Sequence, residues 1–494
     1  MKKGIIVGFV VLIIGTFFFF AEICQAQEKY LITEKVARFI VETKQEQIPQ
    51  EALKAAQMGI TDMIGVTFPG SKEPLGKIMM DYAKKVGGAT EASVIGGGLK
   101  TSSILAALVN GTMGHALDYD DMGAAGHPSV ALAPAILAIG ESIGASGTDI
   151  LVTYVTGYEV EACLAGPLLD SHYTQGWHST DTFGTLGAAA AVARLLKLNV
   201  HQTRMALGIG ASLTGGLRQN FGTMTKPLHA GMAAANGIQA ALLAQGGFTA
   251  DGNIIEAPLG FAKVFGHAQP VDWAKASESL GKTFTITGPC FKGITIKPYP
   301  SCGGTHASID AALYLRKEYG IKPDDIAEIE LGTNPLSNQL LFHHRPKAGL
   351  EGKFSLEYTV ARALLSGEVL LKHFTDEAVN EPKIKSLIER MKWVEKYPKP
   401  RLGTADAFGT QSVTVKLTNG KQYSKELKIS KGMPENPLTF DELGTKYKDC
   451  GSTVLPKKDL EKSLSLLGNL QAVKNIKELM EILAKKELKG REID

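Results

Sequence analysis

The 494-residue sequence is short of cysteine: five are present, Cys24, Cys163, Cys290, Cys302 and Cys450. No two of them form a CxxC pair, which removes zinc-ribbon and thioredoxin-type readings. Scattered in this way they specify no disulfide, and buried free thiols are the expectation. An excess of charge is missing too, since 53 basic and 50 acidic residues leave a net charge of +3. A nucleic-acid partner needs a concentrated basic face, and the sequence offers none. No repeat of fixed period is visible, so no solenoid is expected. What remains is 44% hydrophobic and 21% charged, the balance of a soluble globular protein. The length is too great for one ordinary core and predicts two domains.

The N-terminus reads as a separate segment. Lys2 and Lys3 precede an apolar run from Gly4 to Ala21, followed by "EICQAQ". A basic start, an apolar stretch and a Cys24-x-Ala26 end resemble an export signal, with cleavage after Ala26. The run is long for a signal, so an uncleaved membrane anchor is the rival reading. Bulky Ile23 argues against lipid attachment at Cys24. Either way the bulk of the protein is expected outside the cytoplasmic membrane, periplasmic or extracellular.

From about residue 27 to 293 the pattern is helical. "GTLGAAAAVARLLKL" and "KPLHAGMAAANGIQAALLAQGG" combine helix formers with few charges. Helices that are apolar nearly all round are buried. Glycine is plentiful, at 54 residues, and often stands beside alanine, which predicts close helix packing. After residue 294 the character changes. "IAEIELGT" alternates like a half-buried strand, and "SVTVKLTNGKQYSKELKIS" carries Asn419-Gly420 between alternating stretches, a hairpin signal with positive φ expected at both turn positions. Residues 294–432 therefore read as a smaller α+β domain. Charged helices in 433–494 are expected to rejoin the helical domain. The predicted fold is mainly α: a multi-helix bundle built from both chain ends, with an inserted α+β lid.

Within the helical part, "HALDYDDMGAAGHPS" crowds titratable groups into one junction. His127 precedes Pro128 and Lys226 precedes Pro227, each proline opening an apolar helix, and Lys297 precedes Pro298 shortly before a third helix. Proline is favoured in a first helical turn, so each cation is expected at a helix mouth, where free N–H groups and the macrodipole attract anions. A lone His-Pro or Lys-Pro marks only a helix start. Three of them, each beside small residues, point to a ligand with two or three carboxylates. Asp118, Asp120 and Asp121 follow a helix, where the dipole disfavours negative charge, so some must be paired or functional. Asp118 is expected to orient His127 and stabilise its imidazolium. Lysines would hold carboxylates while a histidine handles a proton on the adjacent carbon, chemistry that needs no cofactor. The competing reading is a metal held by His115, Asp118, Asp121 and His127. The adjacent His-Asp pair of His/Asp phosphohydrolases is absent, and no metal is expected.

At "HALDYDD…HPS", "GWHSTDTFGTLGAAAA", "FGTMTKPLHAGMAA" and "KPYPSCGGTHASIDA" the chain resembles the MmgE/PrpD family over about residues 30 to 490. That family includes 2-methylcitrate dehydratases, cis-aconitate decarboxylases and iminodisuccinate epimerases. The resemblance implies a helical domain from both chain ends, a lid, a homodimer, and no metal or organic cofactor. It places the active site on Asp118, His127, His178, Lys226 and Lys297. It puts Cys302 at the substrate, where the decarboxylase branch carries a histidine. The lid tyrosine of that branch is also missing from "NQLLFHH", and Met122 stands where many members have threonine.

These departures put a 2-methylcitrate dehydratase-like hydro-lyase first. A dicarboxylate epimerase and a cis-aconitate decarboxylase-like enzyme are the alternatives. A non-catalytic periplasmic polycarboxylate-binding protein is the different-class alternative. It is disfavoured because capture needs only the lysines, whereas His127 and Asp118 are both retained. The expected partners are a small polycarboxylate and a second copy of the chain, with no nucleic acid and no membrane beyond the export signal.

Overall fold

The structure, a computed structural model, describes residues 31–266, 270–289, 292–400 and 408–485. The export segment, Cys24 and Cys290 lie outside the described residues. Among those described, no helix is long and apolar enough to cross a membrane.

Helix dominates. Among the described residues, the helices of seven residues or more are α1 Ile32–Glu42, α2 Gln50–Gly70, α3 Pro74–Val86, α4 Ser103–Gly114, α5 Pro128–Ile143, α6 Gly147–Thr174, α7 Ser179–Leu195, α8 Val200–Leu213 and α9 Thr225–Gln245. After them come α10 His306–Tyr319, α11 Leu356–Ser366, α12 Pro382–Glu389, α13 Phe440–Gly451, α14 Lys457–Gly468 and α15 Lys477–Leu483. A short antiparallel pair, β1 Ala92–Val94 and β2 Leu99–Thr101, leads into α4.

The main core joins residues from Ile48 to Ile296 with Leu443 to Leu483, so the last helices pack on the first ones. Tyr447 of α13 meets Phe68 of α2 edge to face, at 5.7 Å between ring centroids. Helices α5 and α7 are buried along almost their whole length and α9 along most of it, as their scarcity of charge implies. Their packing depends on small residues. A Cβ on Gly231 of α9 would lie 2.2 Å from the Leu108 carbonyl oxygen, and one on Gly111 of α4 would lie 2.9 Å from the Gly231 Cα. Backbone meets backbone at that crossing, and even a methyl group would force the helices apart at a cost of about 1–3 kcal/mol.

The smaller unit has its own core, running from Ile309 to Val415. Its sheet has the order β4-β3-β5-β6, formed by β3 Ile326–Thr333, β4 Met391–Glu395, β5 Gln411–Leu417 and β6 Gln422–Leu427. Strand β4, which the sequence pattern did not announce, pairs parallel to β3; β5 and β6 are antiparallel. Burial alternates along β6, the mark of a sheet with one wet face.

The hairpin corrects one expectation. Gly420 has φ +85°, but Asn419 is not among the positive-φ residues. Leu417 N–H donates to the Lys421 carbonyl at 2.8 Å and Gly420 N–H to the Leu417 carbonyl at 2.9 Å. The loop is therefore three residues, Thr418 to Gly420, closed by one left-handed glycine, rather than a two-residue turn with two positive φ angles.

Candidate active site

The site forms where three helix starts meet the end of a fourth. Helix α4 ends at Gly114, and His115 caps it. The chain then turns sharply through Asp118, whose φ is +52°. Few non-glycine residues adopt that conformation, and aspartate tolerates it better than most. His127 is the N-cap of α5, with Pro128 in the first turn, and His178 is the N-cap of α7. Both stand at helix mouths as the sequence predicts for His127. Lys226 lies one residue inside α9, which begins at Thr225. The Gly126–His127 turn abuts the start of α7, where the His127 N–H donates to Thr180 Oγ1 at 3.3 Å.

Lys297 comes shortly before a helix, α10, as the sequence predicts, but not at its mouth, since no helix opens at Pro298. From 298 to 301 the chain bends, and the Ser301 N–H donates to the Tyr299 carbonyl at 2.9 Å. Met122 and Thr295 exchange backbone hydrogen bonds of 2.9 and 2.7 Å, so the segment just before Lys297 runs antiparallel past the aspartates. That path, not a helix mouth, delivers Lys297.

The adjacent acids separate into three roles. Asp118 is paired with lysines: its carboxylate lies 2.8 Å from Lys226 Nζ and 3.3 Å from Lys297 Nζ. Lys297 Nζ also donates to the Asp118 carbonyl at 2.8 Å. The two ammonium groups outweigh the cost of burial and hold the Asp118 carboxyl well below its usual range. Asp118 therefore does not orient His127, contrary to the expectation above. Asp120 does: its Oδ2 lies 2.9 Å from His127 Nδ1, and its Oδ1 lies 2.9 Å from His115 Nδ1. It too is held well below the carboxylate range, by both histidines against burial. Asp121 takes the third role. Burial, reinforced by Asp62 and Asp120, raises its carboxyl well above the usual range, and Ser129 Oγ donates to it at 2.8 Å. Its backbone carbonyl accepts from His127 Nδ1 at 2.9 Å.

Two anchored histidines thus share one carboxylate. An Nδ1–H committed to Asp120 leaves Nε2 of a neutral ring as the basic atom. The rings are 4.4 Å apart. Burial drives the His115 pKa down to about 4, so His115 is neutral, and its Nε2 is buried without a partner. His127 is the wetter of the pair, with 15% of its side chain exposed against 0% for His115. His178 stacks at 6.1 Å from His115 and meets His229 through an Nδ1···Nδ1 contact of 3.0 Å. Burial and the Lys226 charge hold His178 well below its usual pKa, so its ring is neutral.

Sequence reasoning missed several residues that complete the site. Lys353, from the smaller unit, donates to the Leu117 carbonyl at 2.8 Å and the Pro300 carbonyl at 2.9 Å. Burial lowers its pKa to about 8. Lys446 of α13 donates to the carbonyls of Tyr119 and Lys297 and pairs with Asp62 at 2.6 Å. Neither lysine stands in a motif, and only the chain crossing reveals them. Cys302 is half-buried and caps the short turn Gly303–Thr305; its N–H donates to the Lys353 carbonyl at 2.9 Å. Burial, with the Asp118 charge, raises its thiol to about 11, so it is present as the thiol. Cys163 and Cys450 are buried free thiols, as expected.

One grouping among the described residues has donor atoms close enough for a metal ion: His115, Asp120 and His127. Of the four ligands weighed from sequence, only the two histidines converge, and they do so on Asp120. The donors fit a three-ligand site of the kind that keeps a position open. They fit equally a carboxylate shared by two N–H donors, since each histidine lies at hydrogen-bond length from the carboxylate.

Fold and site together define a mainly helical enzyme in which an acid–base histidine stands beside buried, fixed cations. The MmgE/PrpD N-terminal domain matches residues 34–274 and the MmgE/PrpD C-terminal domain matches residues 299–471. The chain belongs to the MmgE/PrpD family and is a lyase or isomerase of that type. It is 26% identical to the cis-aconitate decarboxylase of Mus musculus over 465 residues, 92% of this chain and 93% of that protein. It is likewise 26% identical to the cis-aconitate decarboxylase of Homo sapiens, covering 92% and 94%. Identity reaches 27% with a cis-aconitate decarboxylase-like protein of Aspergillus oryzae, covering 92% and 97%. These relatives favour decarboxylation over the dehydration that the sequence departures put first.

Proposed function

We propose that the protein is a carboxy-lyase acting on an unsaturated tricarboxylate of the cis-aconitate kind, with His127 as its proton donor. The observation that carries this is the Asp120 carboxylate, which supports a positive charge on His127 while His115 stays neutral. In such a substrate a carboxylate sits on a CH2 group next to a C=C bond. Loss of CO2 leaves its bonding electrons to form a new C=C bond. The electrons of the old bond then take a proton on the far carbon. The imidazolium of His127 supplies that proton, and solvent restores it. Lys226, Lys297 and Lys353 provide three ammonium groups around the single Asp118 carboxylate, a surplus of positive charge suited to a polyanion. The alkene-adjacent CO2 leaves readily when its neighbours are held rigidly in that field.

Cys302, in the position where the resemblance puts histidine, keeps a second reading open. The same lysine and histidine arrangement serves a hydro-lyase, which breaks a C–O bond instead. One experiment separates them. The purified protein is incubated in deuterated water with cis-aconitate, 2-methylcitrate and iminodisuccinate. The proposal expects CO2 from cis-aconitate and one solvent deuterium on carbon in its product. Water loss from 2-methylcitrate, or exchange on iminodisuccinate, without CO2 release would overturn it. Turnover is expected to survive exhaustive EDTA treatment. Stoichiometric metal whose removal abolishes turnover would instead assign the His115, Asp120 and His127 grouping to an ion.

A further inference from the structure

The loop between α8 and α9 carries a cation that the mechanism above leaves unused. Arg218 is half-buried, and its Nη1 donates to the Tyr173 carbonyl at 2.6 Å. The guanidinium lies 3.6 Å from the centroid of the Tyr173 ring. Its Nε is buried without a hydrogen-bond partner, and no aspartate or glutamate among the described residues pairs with it. A half-buried guanidinium with no acid beside it and one buried donor unpaired has charge to offer a ligand.

Its position is tied to the active site. The loop backbone is pinned to the turn that sets His178: Arg218 N–H donates to the Gly176 carbonyl at 2.8 Å, and His178 N–H donates to the Gly216 carbonyl at 3.0 Å. Phe221, three residues on, is shared between the two groups. Its ring lies 5.8 Å from the Arg218 guanidinium, 5.4 Å from Lys226 Nζ and 4.8 Å from the His178 ring. Two cations therefore flank one aromatic ring at the wall of the site. Lys226 is neutralised by Asp118, and Arg218 is not.

We infer that Arg218 is a specificity residue: its guanidinium takes the carboxylate of a tricarboxylate that Lys226 and Lys297 do not reach. A planar fork of N–H donors suits a carboxylate better than a lysine would. The inference rests on the polycarboxylate reading above and adds which acids the site selects.

The test uses two saturated acids that cannot react. Propane-1,2,3-tricarboxylate and pentanedioate share one carbon chain and differ in the central carboxylate. Calorimetric titration of the wild-type protein should show tighter binding of the tricarboxylate. Arg218→Gln should weaken tricarboxylate binding roughly 10- to 100-fold, the range of a lost charge-assisted contact, and dicarboxylate binding less than about threefold. Arg218→Lys should recover part of the difference. Equal losses for both acids would make Arg218 a structural prop of the loop and end the proposal, as would an unchanged tricarboxylate affinity. If the wild-type protein binds both acids equally, the selection does not exist. If it binds neither, the polycarboxylate reading falls first and this inference with it. Circular dichroism of each variant guards against misfolding.

Discussion

Asp118 and Asp120 stand two residues apart and serve opposite sides of one site. Asp118 meets Lys226 and Lys297, both fixed cations. Asp120 meets His115 and His127, both imidazoles, the side chain suited to carrying a proton in acid–base chemistry. Their surroundings differ in exchangeability rather than in burial, since both are within a tenth of fully buried. The backbone makes the division. The left-handed turn at Asp118 lets neighbouring carboxylates diverge within one short loop. Strained residues of this kind persist where surrounding structure over-determines them, as at functional sites. The lysine side sets where a polyanion lies, and the histidine side sets what happens to its proton.

If that division holds, its two sides fail differently. His127→Asn keeps size and polarity but cannot carry a proton, so turnover should fall roughly 10²- to 10⁴-fold with little change in affinity. Lys226→Met should do the reverse, weakening substrate affinity roughly 10- to 100-fold while turnover at saturation changes less. Steady-state kinetics and calorimetric binding on both variants measure the split. A folded His127→Asn enzyme with near wild-type turnover would move the proton chemistry to His178.

The aspartates sharpen the comparison further. Asp120→Asn removes the charge that supports the imidazolium, and turnover should drop roughly 10- to 100-fold, as for other partners that orient a working histidine. Asp118→Asn instead leaves Lys226 and Lys297 uncompensated, and stability should fall by about 3–5 kcal/mol, the cost of breaking a buried pair. Added propane-1,2,3-tricarboxylate should then raise the melting temperature of Asp118→Asn more than that of the wild type. Equal shifts in the two proteins would mean that Asp118 does not occupy the anion's place.

These assignments also show what sequence carried and what it did not. Pro128 fixed the start of α5 and hence His127 at its mouth, because proline's missing N–H is harmless only there. The same rule reached less far at Lys297, where the chain bends through residues 298–301 and the next α-helix opens only at His306. The pairing of Asp118 with His127 failed because a left-handed residue redirects side chains that regular spacing would align. Strand β4, Lys353 and Lys446 were invisible because contacts between distant segments leave no local period. The closely packed helices were legible, since glycine and alanine without charge admit little else.

The smallest expected effect concerns Asp181, in the first turn of α7, three residues after His178. A carboxylate at a helix start is ordinarily stabilised by the macrodipole. Here burial wins and raises the carboxyl to about 7, although Thr185 Oγ1 donates to it and the Gly215 backbone also favours the charge. The unfolded chain has its usual value of about 4. Between those values the folded state holds a proton that the unfolded state has released. Stability from this group is therefore complete below about pH 4 and is lost as pH rises toward 7, with no further change above. Asp181→Asn keeps the shape and removes the titration. Urea unfolding at pH 5 and pH 8 should show the wild type losing about 1–3 kcal/mol more than the variant over that interval. Groups that titrate in both proteins, such as Glu159 with its pKa near 7, cancel in the difference. The difference separates this buried acid from Asp118 and Asp120, whose lysine and histidine partners hold their carboxyls well below the usual range. Identical pH dependence in the two proteins would show that Asp181 is ionised like them, and would place a third permanent negative charge beside His178.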